Sequence, residues 1–170
     1  GWVVGAGHLP LEKQLDRSYQ LQYQYGADLM PKYIIGDAMS VGEDYYAAKN
    51  QALELAILNL ASNIEKNITA LIDNRVANGQ LGQGEAVSLA QTVNGSKNII
   101  SKKIQRTVPI VECYRTLSNK SVQVRVVIFY NAKDVMKIVE EEDIKNQKRA
   151  EREAKAEELV KSIDKLLGLE

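Results

Sequence analysis

The run AAKNQALELAILNLASNI, residues 47–64, constrains the fold of this chain more than any other segment. A membrane-spanning helix needs about 20 mostly apolar residues. Lys49 and Glu54 interrupt this run, so we do not expect it to span a membrane. On a helical wheel its apolar residues fill an arc wider than about 100°, which is typical of a helix packed on a sheet and broader than a coiled-coil seam.

A line of small side chains supports the same interpretation of this helix. Ala48, Ala52 and Ala56 are spaced four residues apart, so they lie on one side of the helix. Small residues in such a line allow a neighbouring backbone to approach closely. We therefore predict that residues 43–64 form the inner helix of a compact domain, and a helix that docks into a partner's groove is the alternative.

The other segments predict an α+β domain with a small, mainly antiparallel or mixed sheet of about four strands and helices on one face. Residues 67–77 alternate apolar and polar positions, which favours a strand, although a continuation of the preceding helix also fits. Asn94-Gly95 weakens the middle of a second core helix. The predicted strands are residues 32–40, 67–77, 106–117 and 122–131, and the flanking helices are residues 9–25 and 85–104.

The last two strands are predicted to form a hairpin, because only the short sequence SNKS joins them. Pro109 indicates that the first of these strands lies at an edge or begins late. If Asn119-Lys120 forms the turn, Arg125 lies opposite Tyr114 and makes a cation–π contact with it.

The pattern from residue 133 to residue 167 predicts one long helix, with apolar positions at both ends and a polar middle. Its far end carries leucines that must be buried against this domain or against another chain. The chain therefore divides into an N-terminal segment with a packing helix (1–31), an α+β core (32–131) and a long charged helix (132–170).

Composition argues against most enzyme classes. Lysine plus arginine equals aspartate plus glutamate at 22 each, so no general attraction to nucleic acid is expected. The chain has a single histidine, His8, and a single cysteine, Cys113, which we interpret as a small buried hydrophobe. No motif predicts a catalytic residue, a cofactor or a metal site, although a hydrolase with carboxylates that converge only in space is not excluded.

Tyrosines provide the candidate binding surface, since the chain has 8 tyrosines and 1 phenylalanine. Tyr19 and Tyr23 are predicted to pack the first helix against the domain, with their hydroxyls at the rim of that contact. Together with Tyr33 and Arg125 they are the residues that we expect at a ligand site.

Several segments together resemble a group of uncharacterised cell-envelope proteins of Bacteroides-type bacteria: LEKQLDRSY, PKYIIG, AAKNQALELAILNLA, RTVPIVECYRTL and IDKLLG. Residues 32–131 are also similar to the twenty-kilodalton-lipoprotein-like domain. The resemblance implies a small α+β domain in an exported protein without known catalytic activity. A lipoprotein has a cysteine at its mature N-terminus and this chain starts at Gly1, so either a lipid anchor lies upstream or the protein is soluble in the periplasm.

The sequence thus favours a non-enzymatic envelope protein, in the periplasm or at the inner face of the outer membrane. It would bind an envelope protein or a second copy of itself, with the C-terminal helix as the candidate contact. Membrane association is expected only through an upstream lipid anchor. A small-molecule or glycan-binding module is the alternative, and a deep pocket at Tyr19, Tyr23 or Tyr33 would favour it.

Overall fold

The computed structural model describes residues 1–26 and 28–169, which form an α+β fold. Within these residues, β3 is the central strand of a three-stranded sheet, and β1 and β2 pair with it in antiparallel orientation. The elements in chain order are α1 (Leu11–Gln22), β1 (Tyr33–Gly42), α2 (Tyr45–Ala77), α3 (Gln83–Gly95), α4 (Lys97–Ile104), β2 (Val111–Thr116), β3 (Val122–Asn131) and α5 (Ala132–Leu167).

The prediction of about four strands is wrong, because residues 67–77 continue α2, which is 33 residues long. Ile64, Ile68 and Leu71 are all buried, and their spacing of four and three residues is helical. Ala70 is exposed although the strand pattern required it to face the same side as Ile68. The apparent alternation therefore came from a helical face.

The line of alanines lies directly on β1, as predicted. Ala48, Ala52 and Ala56 are all fully buried against the sheet. β1 also has a small residue at the contact, namely Gly36. A Cβ atom at this position would lie 2.7 Å from the Leu60 Cβ atom. Helix and strand backbones therefore pack at a distance that only small residues permit.

Helices lie on both faces of the sheet, because the predicted N-terminal helix, α1, packs on the face opposite α2. Val124, Val126 and Ile128 of β3 face α2, whereas Val127 and Phe129 pack with α1 and the N-terminal segment. The α1 layer covers only part of its face. It leaves Asp37, Met39 and Val41 of β1 exposed.

The break in the second core helix and the late start of β2 both follow the sequence predictions. The second core helix is interrupted at Ser96 and forms α3 and α4, as the Asn94-Gly95 pair indicated. β2 begins at Val111, two residues after Pro109, and it lies at the edge of the sheet. No helix in the described part of the chain combines the length and the apolar character that membrane crossing requires.

Candidate functional site

The most exposed apolar surface in the described residues lies at the far end of α5. From Ile144 to Leu169 every side chain is exposed except that of Asp164, which is half-buried. Leu159 is 62% exposed and Leu166 is 86% exposed. The leucines that the sequence required to be buried are therefore not buried against this domain.

A polar clamp marks the point where α5 leaves the domain. Asp143 is the last buried residue of α5, and its Oδ1 atom accepts hydrogen bonds from the hydroxyls of Ser88 (2.6 Å) and Thr92 (2.9 Å) of α3. Gln147, one turn further along α5, donates a hydrogen bond to the second carboxylate oxygen at 3.1 Å. The clamp fixes α5 at the point where it leaves the domain. The next 24 residues, 144–167, project for about 36 Å.

The projecting part has one apolar side. At 100° per residue, six apolar side chains fall within an arc of about 120°. We call this surface the tip arc, and its members are Ala156, Leu159, Val160, Ile163, Leu166 and Leu167. Four basic residues lie earlier on the same side of the helix, namely Lys145, Lys148, Arg149 and Arg152. This side of α5 is therefore basic near the domain and apolar at the tip.

The helix ends in a regular cap directly after the tip arc. Gly168 adopts a left-handed conformation with φ of 66°, which glycine tolerates without strain. The backbone N–H of Leu169 donates to the Asp164 carbonyl oxygen at 2.9 Å, and that of Gly168 donates to Lys165 at 3.2 Å. These bonds satisfy carbonyl groups that a helix end otherwise leaves open. The tip arc thus belongs to a helix with a defined end.

Tyr19 and Tyr23 do not pack α1 against the domain, so this prediction is wrong. They are 64% and 59% exposed, and their ring centroids lie 4.6 Å apart on the outer side of the helix. The buried positions of α1 are Gln14 and Ser18. Ser18 is small, and Gln14 accepts a hydrogen bond from the Glu112 backbone N–H of the edge strand, so α1 packs closely on this side.

Tyr33 lines a cavity of about 310 Å³ at the base of α5. It is half-buried, and it is the first residue of β1. The cavity walls come from the loop after α1, the C-terminal half of α2 and the start of α5. The sequence predicts Tyr33 at a ligand site but gives no sign of Arg75, Lys133 and Met136, which also line this cavity.

Arg125 lies elsewhere, opposite Cys113 and Met39 in the strand register. The predicted contact with Tyr114 is wrong, because the hairpin loop spans residues 117–121 and shifts the register by one residue. Arg125 instead donates two hydrogen bonds to the Asp37 carboxylate, at 2.8 and 3.2 Å. These hydrogen bonds raise the pKa of the guanidinium above its ordinary value. The four candidate residues are therefore not gathered in one place.

A buried carboxylate forms a second polar cluster that the sequence did not reveal. The Glu112 side chain accepts a hydrogen bond from the Tyr45 hydroxyl at 2.7 Å, and the Lys49 ammonium lies 3.2 Å away. The Nδ1 atom of His8 is 3.4 Å from the same carboxylate. Burial and the bond to Glu112 raise the pKa of the Tyr45 phenol well above its ordinary range. The cluster joins β2 to α2.

Cys113 is buried, as predicted, and faces the α1 side of the sheet. Burial raises the pKa of its thiol, an effect that the nearby Arg125 partly offsets. A thiol with a raised pKa has little thiolate at neutral pH. The environment of Cys113 therefore favours packing over nucleophilic chemistry.

Comparisons with known proteins give no relative for this chain. No protein-family model, curated protein or solved structure matches it.

Proposed function

We propose that this chain is a non-enzymatic interaction module of the bacterial cell envelope, and that it pairs with a second copy of itself through the tip of α5. The proposed location rests only on the sequence resemblance to envelope proteins. The observation that carries the proposal is the tip arc, an apolar surface on a helix with a regular cap and no covering side chains among the described residues.

The charges on α5 favour an antiparallel pair. In a parallel pair, Arg149 and Arg152 would lie beside their own copies and repel them. In an antiparallel pair centred near residues 161 and 162, each tip arc covers the other, and the basic residues lie beyond the partner's end. This arrangement also places the two globular parts at opposite ends of the pair.

The size of the contact predicts weak association. Each helix contributes about 12 residues, whereas a stable interface uses about 20 to 30 residues on each side. We therefore expect a dissociation constant on the order of 10⁻⁵ to 10⁻⁴ M. Weak pairing of this kind would strengthen when several copies are held close together at a membrane surface.

Light scattering of the full chain tests this proposal. We expect the mean mass to rise from 18.9 kDa toward twice that value as the concentration passes through the predicted range. Ile163→Glu places a charge in the middle of each tip arc, and we expect it to raise the dissociation constant at least about tenfold, because the pair buries it twice.

Ala154→Glu is the matched control, because it adds the same charge to the exposed opposite side of α5. It should leave the dissociation constant within about twofold of the original. A chain that stays monomeric at every concentration, or that loses pairing equally in both variants, contradicts self-association through the tip. Deletion of residues 145–170 should give a strict monomer.

A small-molecule-binding module is the second candidate function, and one observation favours it. Of the three tyrosines expected at a ligand site, Tyr33 lines a cavity whose volume of about 310 Å³ falls at the lower end of the range for ligand pockets. Tyr19 and Tyr23 instead form an exposed pair with tilted rings.

A further inference from the structure

We propose that the cavity at Tyr33 binds a small molecule that has an apolar stem and a single anionic headgroup, either a carboxylate or a phosphate. This inference rests on the second candidate function and is independent of helix pairing. Its failure would therefore leave self-association through α5 untouched.

The interior of the cavity is apolar and adaptable. Leu71 of α2 and Met136 of α5 line it, and both residues are buried within the domain. Met30, Pro31 and Tyr33 also line it, and all three are half-buried. Because methionine side chains fill irregular gaps at low cost, this lining suits a flexible hydrocarbon stem.

The rim of the cavity carries more positive than negative charge. Lys32, Arg75 and Lys133 line it, whereas Asp28 is the single carboxylate among the lining residues. Arg75 lies 3.8 Å from Glu140, near the outer limit of an ion pair, and neither lysine forms an ion pair within residues 1–26 and 28–169. Cations grouped at the mouth of an apolar cavity would stabilise an anionic headgroup.

The walls are preformed by backbone hydrogen bonds. The N–H of Gly26 donates to the Met30 carbonyl oxygen at 2.8 Å, and the N–H of Lys32 donates to Gln24 at 2.9 Å. The N–H of Ala132, the first residue of α5, donates to the Lys32 carbonyl oxygen at 2.8 Å. These bonds join the loop to the start of α5, so the rim cations sit on fixed backbone.

The cavity volume limits the size of the ligand. A volume of about 310 Å³ lies at the lower end of the range for ligand pockets, so the cavity suits a small ligand. Octanoate is a small carboxylate with a seven-carbon stem, and octyl phosphate and octanol share an eight-carbon stem. These three compounds therefore separate the contribution of the headgroup from that of the stem.

The methionine methyl groups provide the readout, because the chain has 3 methionines and two of them line the cavity. In a chain with ¹³C-labelled methionine methyls, octanoate should shift the signals of Met30 and Met136 in a saturable way. Met39 does not line this cavity, so a shift of its signal would report binding at a different place.

Charge variants test the headgroup. Lys32→Gln combined with Lys133→Gln should raise the dissociation constant for octanoate or octyl phosphate about 3- to 10-fold, and it should leave octanol binding unchanged. Lys102→Gln combined with Lys103→Gln is the matched control, because both lysines are exposed on α4 and neither lines the cavity. One extra methylene group in the stem of octyl phosphate accounts for about fourfold in affinity. The headgroup is therefore a phosphate if octyl phosphate binds more than about fourfold tighter than octanoate, and otherwise it is a carboxylate.

Three results would overturn the proposal. The first is the absence of saturable shifts at Met30 and Met136 with either anion. The second is octanol binding as tight as the better anion, and the third is an equal effect of the two double variants.

Discussion

Gly36→Ala is expected to destabilise the fold by about 3 kcal/mol or more. The new methyl group would press on the Ala56 carbonyl oxygen, and it would lie 2.7 Å from the Leu60 Cβ atom and 3.0 Å from the Leu60 backbone nitrogen. Backbone atoms of α2 cannot swing aside as a flexible side chain does, so helix and sheet must separate. Urea unfolding of the variant measures the loss of unfolding free energy.

Gly84→Ala is the matched control for this substitution. Gly84 lies in α3, and a Cβ atom there would meet no atom within 4 Å. Alanine should therefore stabilise the helix by about 0.5–1 kcal/mol. Equal urea midpoints for Gly36→Ala and the unmodified chain would show that α2 is not packed on β1 as described.

Glu112→Ala should cost about 2–4 kcal/mol of unfolding free energy. It leaves the Tyr45 hydroxyl without its acceptor and the Lys49 ammonium without its partner, in a region where the Glu112 side chain is only 8% exposed. Glu112→Gln keeps an acceptor oxygen at the same place and should cost less. The measurement is again urea unfolding. The slope of the unfolding free energy against urea concentration is compared between the variants.

Glu65→Ala is the control for the loss of an ion pair as such. Glu65 pairs with Lys97 at 3.0 Å, but both side chains are more than 40% exposed. Exposed pairs contribute about 0–1 kcal/mol, so this variant should unfold close to the original chain. A similar cost for Glu65→Ala and Glu112→Ala would mean that the Glu112 cluster is no more important than a surface pair.

The sequence predicted α2 well because its burial is set by the chain's own periodicity. The alanine line at four-residue spacing identified the contact with the sheet, and Gly36 supplied the matching small surface. The same reasoning failed at residues 67–77, because a short stretch with apolar residues at even spacing fits a strand and a helix equally. Only the structure shows that α2 continues as a helix through these residues.

The candidate site was less predictable because it depends on contacts between distant segments. The sequence of α1 predicts that Tyr19 and Tyr23 face the domain, whereas in the structure Gln14 faces it and accepts a hydrogen bond from the edge strand. The cavity joins residues from three separate segments, and no local pattern links Tyr33 to Arg75 or Met136. No local pattern predicted the burial of Glu112, because its side-chain partners, Tyr45, Lys49 and His8, lie far from it in the sequence.

The distance between two copies of α5 tests the central claim most directly. In a Cys113→Ser background, Asn146→Cys allows one spin label on the exposed part of the helix, away from the tip arc. An antiparallel pair centred near residues 161 and 162 predicts about 45 Å or more between labels, from 1.5 Å per residue. A distance near 20 Å would indicate parallel helices. Either that distance or the absence of dipolar coupling at high concentration would contradict the proposed pair.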